Sequence, residues 1–129
     1  MECCDKALNL DPEYIDACFN KGALLSKLSK YEESLEYYDN VLEKNPNYKS
    51  AVFNKGICLL ELDRYEEALK YLDKVLEIDQ KDAGAWYGKG IYFKNYNKFE
   101  NALKCFDKAL EINPDYEPAK KAREEILSS

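Results

Sequence analysis

The chain has 129 residues and 46% hydrophobic content, room for one compact domain or a short stack of repeated units and not for a second large domain. Lys and Arg total 19 against 25 Asp and Glu, a formal charge of −6 with no histidine, which argues against nucleic acid as a partner and favours a basic or neutral protein surface. The odd set Cys3, Cys4, Cys18, Cys58 and Cys105 contains no C-x-x-C pair, and no histidine completes a zinc site, so reduced thiols, no metal and no cofactor are expected.

No apolar run approaches the roughly 18 residues of a membrane span, and Met1-Glu2-Cys3-Cys4-Asp5 lacks the shape of a signal peptide. The expectation is a cytoplasmic protein with no membrane contact.

From the N-terminus, Cys4, Ala7 and Leu8 match Tyr38, Val41 and Leu42 at a step of 34, so residues 1–14 read as the second helix of a truncated repeat. Its missing partner makes self-association through that end, or a place within a longer array, an expectation. Three full units follow, at 15–48, 49–82 and 83–116. Each carries one phrase: Phe19-Asn20-Lys21-Gly22, Phe53-Asn54-Lys55-Gly56, and Tyr87-Gly88-Lys89-Gly90.

The same step aligns Asp39, Asp73 and Asp107, then Ala17, Ala51, Ala85 and Ala119. The first helix of each unit is expected to end near Ser29, Asp63 or Asn97, which favour turns and helix starts. The second begins at Tyr31, Tyr65 or Phe99 and runs to Lys44, Ile78 or Ile112. Pro46 and Pro114 mark its end, while Gln80 in the same place predicts a turn free to vary. Residues 117–129 read as a capping helix, with Ala119, Ala122 and Ile126 on one face and Lys121 pairing with Glu125 on the other.

These residues resemble the tetratricopeptide repeat family over essentially the whole chain. The third unit carries the resemblance best, with Trp86, Lys89-Gly90, Phe93, Phe99, Ala102, Phe106, Ala109 and Pro114. The resemblance implies an all-α fold, a right-handed α-α superhelix, and a protein or peptide as partner. Lys21, Lys55 and Lys89 depart from the family's usual leucine, so their stems are expected to cover apolar surface while the ammonium groups reach water.

On a wheel of about 100° per residue, Val52, Gly56 and Leu59 fall together as the unit's own core, and Phe53, Ile57 and Leu60 fall on the far side. Stacking would put that second stripe on the inner wall of the superhelix. The expected peptide-binding groove is therefore Phe19, Asn20 and Ala23, then Phe53, Asn54, Ile57 and Leu60, then Tyr87, Gly88, Ile91 and Lys94. The rings supply apolar area, and Asn20 and Asn54 can donate to and accept from a peptide backbone. The competing reading packs the rings against neighbouring helices, and Gly88 reads either as a soft point or as a shallow pocket.

One family member reads a chaperone's C-terminal carboxylate with lysines, asparagines and an arginine. At those positions this chain has Phe19, Ala23, Asn54, Gly84 and Gly88, so such a ligand is not expected in the groove.

Catalysis is not expected either, since no nucleophile or proton-transfer pair is assembled by any motif. Asp39, Asp73 and Asp107 recur with the scaffold and read as solvated partners of neighbouring lysines such as Lys74 and Lys108. The leading expectation is a module that binds a peptide or partner helix, with a self-assembling structural element as the alternative.

Overall fold

The structure, a computed structural model, describes residues 12–128, with side chains from Ile15 onward. Every element among them is a helix: α1 (Pro12–Lys27), α2 (Tyr31–Lys44), α3 (Lys49–Glu61), α4 (Tyr65–Ile78), α5 (Ala83–Asn95), α6 (Phe99–Ile112) and α7 (Glu117–Leu127). The half-repeat expected over residues 1–14, with Cys3 and Cys4, lies almost wholly outside the described span.

Two turn types alternate, and local chemistry accounts for both. Ser29, Asp63 and Asn97, one 34-residue step apart, each hold a positive φ near 60°. The next amide reaches back five residues in every case: Lys30 N–H to Leu25 O at 2.8 Å, Arg64 N–H to Leu59 O at 2.8 Å, and Lys98 N–H to Phe93 O at 2.9 Å. This left-handed cap satisfies carbonyls that the end of a helix would otherwise leave without donors.

The second turn rests on a side chain. Asn45, Asp79 and Asn113 follow α2, α4 and α6, and the Oδ1 of each accepts an amide two residues on, from Asn47, Lys81 and Asp115. The same turn therefore forms beside Gln80 as beside Pro46 and Pro114. The variable turn expected at Gln80 does not occur, because the Asx hydrogen bond sets the geometry.

The chain divides into two compact units, the first ending at Ala68 and the second beginning at Leu69. In the first, α2 packs on both α1 and α3, which also touch each other. In the second, α6 packs in the same way between α5 and α7. Tyr38, Val41, Val52 and Leu59 are fully or almost fully buried in the first unit, and Leu72, Val75, Phe106 and Ala109 in the second. Ala119, Ala122 and Ile126 of α7 complete the second core, the face expected of them.

At Gly22 and Gly90 a ring from the following helix packs directly against the glycine. A Cβ on Gly22 would stand 2.8 Å from Tyr38 Cε1, and one on Gly90 would stand 2.3 Å from Phe106 Cε1. Both lie inside ordinary contact distance, so only hydrogen fits while these rings hold their places.

The charged partners differ from those expected. Asp39 pairs with Lys55, Asp73 with Lys89 at 2.9 Å, and Asp107 with Arg123 at 2.7 Å. Each pair joins a second helix to the first helix of the next unit, 16 residues on. The partners are thus not Lys74 and Lys108. Nor does the ammonium of Lys55 or Lys89 simply enter water, since helix stacking brings a carboxylate over it; Lys89 also lies 5.3 Å from the Trp86 ring centroid.

Among the described residues no helix is long and apolar enough to cross a membrane, and no cluster of His, Cys, Asp or Glu could hold a metal ion. Cys58 and Cys105 are buried free thiols. Cys18 is disulfide-bonded, a departure from the expectation of reduced thiols.

Candidate functional site

In the first unit, α1 and α3 set Ala23, Phe53, Asn54 and Ile57 around an open, mostly apolar cleft of about 230 Å³. Its base is a hydroxyl network. Ser34, fully buried, lies within donating distance of Gly22 O at 2.9 Å and Lys30 O at 3.1 Å, and its Oγ accepts from Ser26 at 3.0 Å. Because the Ser26 proton is directed to Ser34, its oxygen is left to accept from Tyr38 Oη at 3.2 Å and from the Cys58 thiol at 3.1 Å.

Burial pushes the Tyr38 hydroxyl up from its ordinary pKa. Burial likewise pushes the Cys58 thiol up. Both groups therefore stay neutral at neutral pH, as their roles as donors to Ser26 require.

In the second unit, Tyr87, Ile91 and Lys94 of α5 line a cleft of about 360 Å³ with Pro118, Lys121 and Glu125 of α7. Lys94 Nζ lies 2.7 Å from Glu125 Oε2. Its hydrogen bond and charge hold the Glu125 carboxyl below the usual carboxylate range. The pair expected between Lys121 and Glu125 is replaced by this one, since packing turns Glu125 toward α5.

Phe19 and Tyr87, two repeats apart, occupy equivalent places. Phe19 meets Tyr38 at 5.9 Å and Tyr48 at 5.4 Å between centroids; Tyr87 meets Phe106 at 5.9 Å and Tyr116 at 5.8 Å. Both rings are half-buried in these clasps. For Phe53 the corresponding positions hold Leu72 and Asp82, neither of them aromatic. Phe53 has no ring partner among the described residues and lines its cleft.

The expected stripe is thus brought together in part. Asn20 is exposed and lies outside the cleft lining. Leu60 and Gly88 were expected on the groove wall and are instead covered. Leu60 is only 8% exposed, and a Cβ on Gly88 would meet the Leu72 side chain at 2.8 Å. Neither can present itself to a ligand, so the shallow pocket suggested for Gly88 is filled by Leu72.

Sequence reasoning missed Tyr31, Tyr38 and Ser26 at the first cleft and Glu125 at the second. For Ser26 the repeat pattern carried no signal, because Ser26, Leu60 and Lys94 share one repeat position and have nothing chemical in common, whereas Tyr31 recurs as Tyr65 and Phe99 and was read only as the start of a helix.

Three tetratricopeptide repeat models match the sequence, over residues 3–36, 25–89 and 83–116. No curated protein matches it significantly. Among solved structures it is similar to YrrB, a protein described as having an unusual peptide-binding site, at 32% identity with a TM-score of 0.80; the alignment covers 95% of this chain and 63% of YrrB. The Arabidopsis OM64 domain shares the fold with a TM-score of 0.82 at 22% identity, over 88% of this chain and 94% of that one. The first such domain of Spaghetti (RPAP3), solved with the HSP90 peptide SRMEEVD, gives 0.82 at 20% identity, over 92% of this chain and 97% of that one. With a helix-pair plan repeating every 34 residues and one family model spanning half its length, the chain belongs to the tetratricopeptide repeat family, whose fold is an all-α solenoid.

Proposed function

We propose that the chain is a protein-interaction module that holds a peptide segment or a partner helix in a concave groove along the inner stripe of its first helices, without catalysis, in a cytoplasmic setting. The observation that carries this reading is positional. Phe53 and Ile57 in the first unit, and Tyr87 and Ile91 one repeat later, line open clefts. A ring and an aliphatic side chain one helical turn apart offer apolar anchorage, and Asn54 adds an amide for a peptide backbone. The description of YrrB as peptide-binding and the peptide seen with Spaghetti support the class of partner. Repeat boundaries at 15–48, 49–82 and 83–116 belong to the same proposal.

Peptides selected from a random display library against the intact chain test it, when counter-screened against Ile57→Glu and Ile91→Glu. A shared motif whose binding both variants lose is the expected result. Selected peptides that bind both variants as well as the parent chain would refute the groove. Sedimentation over a concentration series addresses self-assembly through the N-terminal half-repeat. Monomeric behaviour throughout is expected, and dimerisation blocked by the same substitutions would assign the groove to a second copy.

A further inference from the structure

Among the described residues Ser34 is the only buried serine, amide or charged residue, and it stands where the following repeats have Ala68 and Ala102. Packing has no need of its hydroxyl, since alanine fills the same place in both of those repeats and is fully buried each time. The hydroxyl acts instead on its neighbour. The carbonyls of Gly22 and Lys30 can only accept, so Ser34 gives them its proton at 2.9 and 3.1 Å and offers its oxygen to Ser26.

Ser26 lines the first-unit cleft, and the contact with Ser34 at 3.0 Å draws its proton away from the cavity. Its two lone pairs then take the protons of Tyr38 and Cys58. Every hydroxyl and thiol proton of these four residues is thereby directed into the protein. A carbonyl or carboxylate seated on that base meets oxygens and a sulfur with no proton to give, and a polar group left unpaired there loses its water without compensation. Charge does not offset the loss. Lys27 is the one charged residue of the lining, and Glu61, whose field reaches Cys58, opposes it.

We propose that Ser34 is a positioning residue that sets the specificity of this cleft: by holding the Ser26 proton it restricts the base to an uncharged aliphatic side chain of the bound peptide. The inference rests on the groove reading and adds which side chain the groove takes at this point. The alkyl tip lies against Phe53 and Ile57, where burial is favourable without any hydrogen bond. In the second unit the position of Ser26 is held by Lys94, whose ammonium meets Glu125, so the preference belongs to the first unit alone.

N-acetyl-leucinamide and N-acetyl-asparaginamide carry side chains of the same branching and differ in whether the tip needs partners. The test titrates each into the intact chain, to on the order of 100 mM because one buried side chain binds weakly, and follows the Ala23 and Ile57 methyl signals by NMR. The leucine probe is expected to bind at least about fivefold more tightly, the smallest ratio that an unpaired buried polar group produces. Ser34→Ala installs the residue the other repeats already carry, so it keeps the fold while releasing the Ser26 proton. The ratio then falls to about twofold or less, with the affinity for the leucine probe unchanged. Ser26→Ala, which leaves the protons of Tyr38 and Cys58 without their acceptor, narrows the ratio as well. Equal binding of the two probes to the parent chain, or a ratio unmoved in both variants, would overturn the proposal and leave the groove reading standing. Binding of neither probe, or a response at Ala23 undiminished by Ile57→Glu, would remove the groove at this cleft and the proposal with it.

Discussion

Beneath the glycine of the first helix, one unit places Tyr38 and the other places Phe106. Around Tyr38 stand Ser26, Ser34 and Cys58, joined by hydrogen bonds; the equivalent positions around Phe106 are Lys94, Ala102 and Ile126. One helix plan therefore accepts a polar floor in the first unit and an alanine-rich apolar cluster around Phe106 in the second. The floor is tolerated because every hydroxyl in it has a partner, and among the described residues no buried side-chain oxygen or nitrogen lacks one. The packing plan fixes where a ring must lie, while its neighbours decide whether that ring carries an oxygen.

The closer approach in the second unit gives the largest expected difference. Gly90→Ala should destabilise by about 2–3 kcal/mol, because overpacking against Phe106 exceeds the roughly 1 kcal/mol that alanine gains in a helix. Gly22→Ala, with more room before Tyr38, should cost about 1 kcal/mol. Urea unfolding of both variants checks the order, and a larger cost for Gly22→Ala would break the comparison.

Next comes alkaline pH, where the polar floor responds. Tyr38 and Cys58 are acids whose neutral forms are favoured by burial, so the folded state keeps their protons to higher pH than the unfolded chain does. Stability is therefore complete below the unfolded values, about 8.5 for the thiol and about 10 for the phenol, and falls as pH rises through and beyond them. Burial raises Cys105 in the same direction in the second unit. Tyr38→Phe should cost about 1 kcal/mol at neutral pH by removing the donor to Ser26, and should flatten the decline above about pH 10. Thermal melts across pH measure both effects.

Of similar size but opposite sign is the left-handed turn. Ser29 holds a positive φ without the amide or carboxylate side chain that helps Asp63 and Asn97 tolerate it. Ser29→Gly should stabilise by about 1 kcal/mol, and Asn97→Gly by less; equal gains in chemical unfolding would deny the distinction.

The smallest effect belongs to the ion pairs that both units share. Asp73→Asn or Asp107→Asn should cost about 0.5 kcal/mol at low salt and less at 1 M salt, as befits pairs on the surface. Restoration by exchanging the partners, Asp107→Arg with Arg123→Asp, would show that the pairing itself matters.

Much of the helical plan was legible because it depends on short-range rules. The 34-residue step, the turn residues Ser29, Asp63 and Asn97, and the apolar face of α7 each follow from local periodicity or from a backbone preference. The site was legible only in part. Phe53, Ile57, Tyr87 and Ile91 were read from the helical wheel, whereas Tyr31 and Glu125 reach the clefts from other helices. Leu60 and Gly88 were misplaced because the wheel assigns a direction and says nothing of what already fills the space there.

The amino-acid order by itself settled the family, the helix pairs and the recurrence of a glycine, an aspartate and a cation in each repeat, since all of these are properties of spacing. Only tertiary structure decided that each aspartate meets the cation 16 residues ahead, that Leu72 covers Gly88, and that Ser26, Tyr38 and Cys58 meet at the base of one cleft. Those outcomes depend on which side chains arrive together when separate helices stack, and spacing along one helix carries no information about that.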